Sequence, residues 1–316
     1  RNDEKIPPQL SKKCKDCEFR CPDDVIGKKD GFKECWGEEL GWQDEDFKKP
    51  SVLDIWDYRK KDDLLEEGKL FMEDLSKTDI DIKPFAHNGL SRTERQCIQI
   101  EKTVNQDASP HLDVEGLRHE FQTWKYPLHF IDFETTAVAI PFYKNFHPYE
   151  GVAFQFSHHQ AEEDGSIAHV GEFINLDRGK LPNFEFIRAL KAQLEKDEGT
   201  IFRYHAHENT YLNIIYKQLS ATSESDVPDR QELMDFIRTI TYYKVGKEKI
   251  CGPRNMVDLF ELVKRYYYQI DMGGSISLKY VLPAVLNSSE YLQKKYSAPI
   301  YGSANGIPST NYEDWT

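Results

Sequence analysis

Long apolar runs are missing from this chain: none approaches the ~18 consecutive residues that a membrane-spanning helix requires. A soluble, cytoplasmic protein is expected, with no membrane partner. Basic residues are in deficit, with 41 Lys and Arg against 54 Asp and Glu and a formal net charge of -13. That balance argues against a protein that coats nucleic acid through a wide basic surface. It leaves room for an enzyme that concentrates carboxylates to hold divalent cations. Cysteine is scarce too, and 6 in 316 residues are too few for a secreted disulfide scaffold. No charged stretch leads into an apolar one and residue 1 is Arg, so neither a signal peptide nor a natural start is visible. The chain closes on Tyr312-Glu-Asp-Trp-Thr316 directly after a run of Gly, Ser, Asn and Pro, and both ends are expected to be cut.

What is present supports real cores: 39% of residues are hydrophobic and 13% aromatic, and the length suits two domains or one domain with an appendage. Three consecutive regions are expected. Residues 1–50 are polar, Cys-rich and punctuated by Gly and Pro, as in a loop-dominated module that needs a cross-link to stay ordered. Residues 51–123 read as a helical connector. Short helices are expected over Ser51–Leu75, and a further one from Ser91, where Ser91 and Glu94 make a capping-box pattern.

From Leu128 the pattern becomes extended. Leu128–Glu134, Val152–His159 and Ile167–Ile174 predict three strands in meander order. A helix over about Pro182–Lys196, an apolar run Thr200–His205 and a helix over about Glu208–Leu219 follow, with further helices at Asp229–Ile240, Met256–Tyr267 and Ser277–Val285. The expected fold class is α/β, a mixed sheet flanked by helices.

In LHFIDFET, strand alternation sends Asp132 and Glu134 to one face, where the two carboxylates can share a cation. Two-metal phosphodiester hydrolysis needs several such acids, so that water is activated on one side and the leaving oxygen stabilised on the other. The plainer alternative is the polar face of a half-exposed strand.

The run Pro127–His159 (PLHFIDFETTAVAIPFYKNFHPYEGVAFQFSHH) resembles the bacterial family called domain of unknown function 2779, as do Tyr204–Ile215, Asn255–Val263 and Gly274–Leu286. The D-x-E strand before two antiparallel strands also resembles the opening of the DEDD exonucleases. The resemblance implies an RNase H-like nuclease domain over residues 124–316, with Asp132, Glu134 and Glu208 holding Mg²⁺ or Mn²⁺. Glu208 stands where many DEDD enzymes have an Asp, at the start of the helix after the fourth strand. A helix-capping acid is the alternative there. Asp258 is a fourth candidate, at the opening of a helix after the fifth strand. His205 and His207 are candidate phosphate contacts, or an exposed polar pair one period apart on a strand end. Lys279 is a candidate phosphate contact or a solvated helix lysine. The family's last acid, four residues after Tyr or His on a late helix, has no counterpart between Val285 and Thr316; before Asp314, position 310 is Thr. The resemblance implies that this motif lies beyond Thr316.

Cys14, Cys17, Cys21 and Cys35 give C-x2-C-x3-C-x13-C, a spacing at which four thiolates can close on one ion, either Zn²⁺ or a 4Fe-4S cluster. The plainer alternative is unpaired cytosolic thiols, of which the scattered Cys97 and Cys251 are examples. The segment resembles the C-terminal part of CRISPR-associated and RecB-like nucleases, without their PD-(D/E)XK core. The functional expectation is a metal-dependent nuclease, a 3′–5′ exonuclease on single-stranded DNA or RNA or strand ends, in a fragment lacking its final acid. The alternative is a catalytically incomplete RNase H-like domain that binds nucleic acid or acts as a scaffold.

Overall fold

Along Leu128–Thr136 (β1), Ile131 and Phe133 are buried while Asp132 and Glu134 are exposed, so the alternation expected from the sequence is realised in a strand. Val152–Ala161 (β2) and Ile167–Ile174 (β3) follow as an antiparallel meander. The chain then crosses through a helix, Asn183–Leu194 (α1), to Ile201–Arg203 (β4), which pairs parallel to β1 with His129 opposite Ile201. His207–Ala221 (α2) and Arg230–Ile240 (α3) lead on to Val257–Asp258 (β5), parallel to β4 with Phe202 opposite Val257. The result is a mixed five-stranded sheet in the order β3-β2-β1-β4-β5, flanked by helices. The structure is a computed structural model; it describes residues 8–296 apart from 22–24, 26, 77, 86, 87 and 145.

Helical spacing explains the core under this sheet. Phe186, Leu190 and Leu194 on α1, Leu212, Ile215 and Leu219 on α2, and Leu233, Phe236 and Ile240 on α3 lie on single stripes and pack with Ile131, Phe133 and Phe156. Burial of each such side chain contributes about 1.5–3 kcal/mol. Buried Asn183 ties the layers: it accepts from Ala153 N at 2.8 Å and donates to Gly151 O at 3.2 Å and to Gln218 Oε1 at 2.6 Å.

The first three residues of the expected helix at Met256–Tyr267 are not helical. Val257 and Asp258 are drawn into the sheet by pairing with β4, and the helix runs only from Leu259 to Tyr266 (α4). A hairpin of Tyr242–Val245 and Glu248–Cys251, turning at Gly246 and Lys247, was not anticipated.

The described residues form two compact units: Leu117–Leu262 holds the sheet, and residues 8–116 group with 263–296. Backbone pairing of His111 with Tyr268, and donation from Arg95 Nη1 to the carbonyls of Val263 and Tyr267 at 3.1 and 2.6 Å, account for that grouping. Within this unit the capping box at Ser91 opens the helix Arg92–Val104 as its sequence predicts. The Cys-rich region is less loop-like than expected. Asp30 caps a ten-residue helix, Gly31–Leu40, which ends on Gly41 in the left-handed region, and Trp36 packs fully buried with Phe32 and Trp42. Among the described residues no helix is long and apolar enough to cross a membrane.

Candidate active site

Three strands of the sheet, β1, β4 and β5, run parallel, and open α/β sheets place their sites at the carboxyl ends of such strands. Asp132 and Glu134 lie on the second half of β1, past the point where Phe130 pairs with Phe202 of β4. Glu208 is the second residue of α2, five residues after β4 closes at Arg203. Asp258 ends β5, level with Arg203.

Glu208 is only 3% exposed, and helical geometry gives the reason. It precedes Leu212 by four residues and so falls on the same buried stripe as Leu212, Ile215 and Leu219. One of its oxygens, Oε2, is buried with no hydrogen-bond partner. Burial pushes its carboxyl up to about 7; repulsion from Asp132 and Asp258 adds to this, against the pull of its own backbone amide and of Arg203. A buried acid beside a second acid, with an unsatisfied oxygen, is a place where a cation is electrostatically favoured.

Asp258 is committed otherwise. Its Oδ2 accepts from Arg203 Nη1 at 2.7 Å in a buried ion pair, and its Oδ1 accepts from the backbone N–H groups of His205 and Phe260 at 2.8 and 3.1 Å. This carboxylate holds the turn after β4 in place. His205 takes the left-handed backbone conformation there, at φ 66°, and its ring packs against Phe260. The two histidines are therefore not one period apart on a strand. His205 lies in the turn, while exposed His207 is the first residue of α2 and places Nε2 3.1 Å from Thr135 Oγ1, beside Glu134. Lys279 is exposed in the first turn of the helix Leu278–Asn287 and belongs to the other compact unit.

The all-oxygen donor set of Asp132, Glu134 and Glu208 suits Mg²⁺ or Mn²⁺. Among the described residues, no three His, Cys, Asp or Glu side chains are already gathered as a metal-holding group. A cavity of about 640 Å³ lies elsewhere, lined by Trp124, Thr200 and Arg254 where β1 and β4 begin.

Residues 129–277 match domain of unknown function 2779. No curated protein and no solved structure matches the chain. The DUF2779 segment takes in Asp132, Glu134, Glu208 and Asp258 and stops at Ser277, before Lys279.

Two arrangements within the DUF2779 segment escaped the sequence reading. One is the Arg203–Asp258 pair just described. The other is a buried histidine pair: His129 Nδ1 lies 2.9 Å from His158 Nε2, with Asp197 Oδ1 2.8 Å from His129 Nε2 and Gln193 Oε1 2.8 Å from His158 Nδ1. Burial lowers the basicity of His158. The network joins β1, β2 and α1 at the start of β1 and takes no part in the carboxylate site.

Outside the DUF2779 segment, Cys14, Cys17 and Cys35 pack against one aromatic cluster of Phe32, Trp36 and Trp42. These three and Cys21 are half-buried. They are not drawn into a metal-holding group among the described residues.

Proposed function

We propose that this protein is a metal-dependent nuclease of RNase H-like fold and DEDD type, acting on single-stranded DNA or RNA. The observation that carries the reading is the buried, unpaired oxygen of Glu208 beside Asp132 at the carboxyl ends of parallel strands. The order of parts supports it: a D-x-E strand, two antiparallel strands, then a fourth strand whose following helix carries an acid in its first turn, and a fifth strand ending in Asp258. In this reading Asp132, Glu134 and Glu208 hold Mg²⁺ or Mn²⁺, which when bound lowers the pKa of water and neutralises charge on the phosphodiester. Asp258 and Arg203 act as positioning residues that fix the turn between β4 and α2. His207 is near enough to Glu134's neighbour Thr135 to orient the strand end.

The test is shortening of end-labelled single strands by the full-length protein in Mn²⁺. Loss of cleavage on adding EDTA is the expected result, and no cleavage under any divalent cation removes the reading. The second reading, a catalytically incomplete domain that binds nucleic acid or serves as a scaffold, is favoured by the lack of a ready-made three-ligand group among the described residues. It predicts binding of single strands without cleavage.

We further propose that Cys14, Cys17, Cys21 and Cys35 hold Zn²⁺ or a 4Fe-4S cluster, since soft thiolates suit both. Elemental analysis of the purified protein is expected to find zinc at one per chain or iron at about four. Neither metal at stoichiometric level would exclude the site.

A further inference from the structure

The hairpin that follows α3 carries the opposite charge to the chain as a whole. Between Arg238 and Arg254 five Lys and Arg stand against one Glu, in a protein of net charge -13. Lys244, Lys247 and Lys249 are exposed, and none forms an ion pair among the described residues. Lys244 and Lys249 stand directly opposite each other in the hairpin register. Like charges so placed repel at close range, which destabilises a two-stranded ribbon. Among the described residues no carboxylate pairs with either lysine to relieve that repulsion; an anion on this face would.

Alternation puts Tyr242, Lys244 and Lys249 on one face, and Lys249 Nζ lies 4.1 Å from the Tyr242 ring centroid. The same ring lies 5.6 Å from the guanidinium of Arg203, the partner of Asp258. Tyr242 is also fastened to the helix that bears Glu208. Asn209, the next residue, accepts from Tyr242 N at 2.9 Å and donates to Tyr242 O at 3.2 Å, and Asn213 donates to the same carbonyl at 3.1 Å. The positive face therefore starts beside the carboxylates and is held on a rigid element.

We propose that this face, formed by Lys244 and Lys249 and extended at the turn by Lys247, grips the phosphate backbone of a single-stranded nucleic acid leading to Asp132 and Glu208. The proposal rests on the nuclease reading for the identity of the anion. Each lysine that neutralises one phosphate of a single strand contributes about 0.7 to the slope of log affinity against log salt.

The experiment is fluorescence anisotropy of a labelled single-stranded oligonucleotide with the full-length protein in EDTA, across a salt series. Converting Lys244, Lys247 and Lys249 to Gln is expected to weaken binding roughly tenfold or more at low salt and to flatten the slope by about 2. Lys247→Gln alone, at the exposed turn, is expected to flatten it by about 0.7 and guards against misfolding of the triple variant. Equal affinity and slope in wild type and variants would overturn the hairpin assignment and leave the nuclease reading standing. Failure of the wild-type protein to bind single strands at all would overturn both.

Discussion

At pH 8, Glu208→Gln is expected to raise the melting temperature by roughly 5–10 °C, while cleavage is lost. The folded protein holds the Glu208 carboxyl up to about 7, against an ordinary value of 4.5. Between those two values the folded state keeps a proton that the unfolded chain releases, so stability falls as pH rises from about 4.5 to about 7 and is level above that. The ionised form is thus disfavoured in the fold by on the order of 3 kcal/mol. Gln has the shape of the protonated acid and never ionises. The variant should therefore match wild type near pH 4.5 and exceed it at pH 8, as read by differential scanning fluorimetry at the two pH values. An equal difference at both would show that the carboxyl is not held in a destabilising state.

Asp132→Asn is the complementary case. Asp132 is exposed on β1, so Asn fits without repacking, and the repulsion that Asp132 exerts on Glu208 is removed. Stability is expected to be unchanged or slightly higher. Cleavage of single strands in Mn²⁺ is expected to fall by roughly 100- to 1000-fold. A bound cation is worth several kcal/mol of charge stabilisation in the transition state, and each factor of ten is about 1.4 kcal/mol. Initial rates on a gel, with the melting temperature measured alongside, separate a lost site from a lost fold. A rate within a few-fold of wild type would sink the assignment of Asp132.

These two residues also mark how far the sequence could be read. Asp132 and Glu134 were legible because strand alternation is local: Ile131 and Phe133 go to the core, and the acids between them go out. The burial of Glu208 was legible in principle, since an acid four residues before Leu212 on the stripe of Leu212, Ile215 and Leu219 has nowhere else to point. The role of Asp258 was not legible. It depends on Arg203, 55 residues earlier, being brought level with it by the parallel register of β4 and β5, and nothing local encodes that register. The same long-range pairing turned Val257 and Asp258 from predicted helix into strand. His129 and His158 meet for a similar reason, across a two-strand register that only the folded meander fixes. In the Cys-rich region the signals of the helix Gly31–Leu40 were present in Asp30 and Gly41, but the two glycines within it weakened the helical pattern. The closing stretch 297–316, Asp314 included, lies outside the described residues.

The central claim is that Asp132 and Glu208 belong to one cation site. Titrating Mn²⁺ into the full-length protein and following the free ion by electron paramagnetic resonance tests it without relying on activity. The account predicts that wild type depletes the free Mn²⁺ signal at pH 8 and that Asp132→Asn and Glu208→Gln each leave it largely undiminished. Equal depletion by all three proteins, or none by wild type, would contradict it.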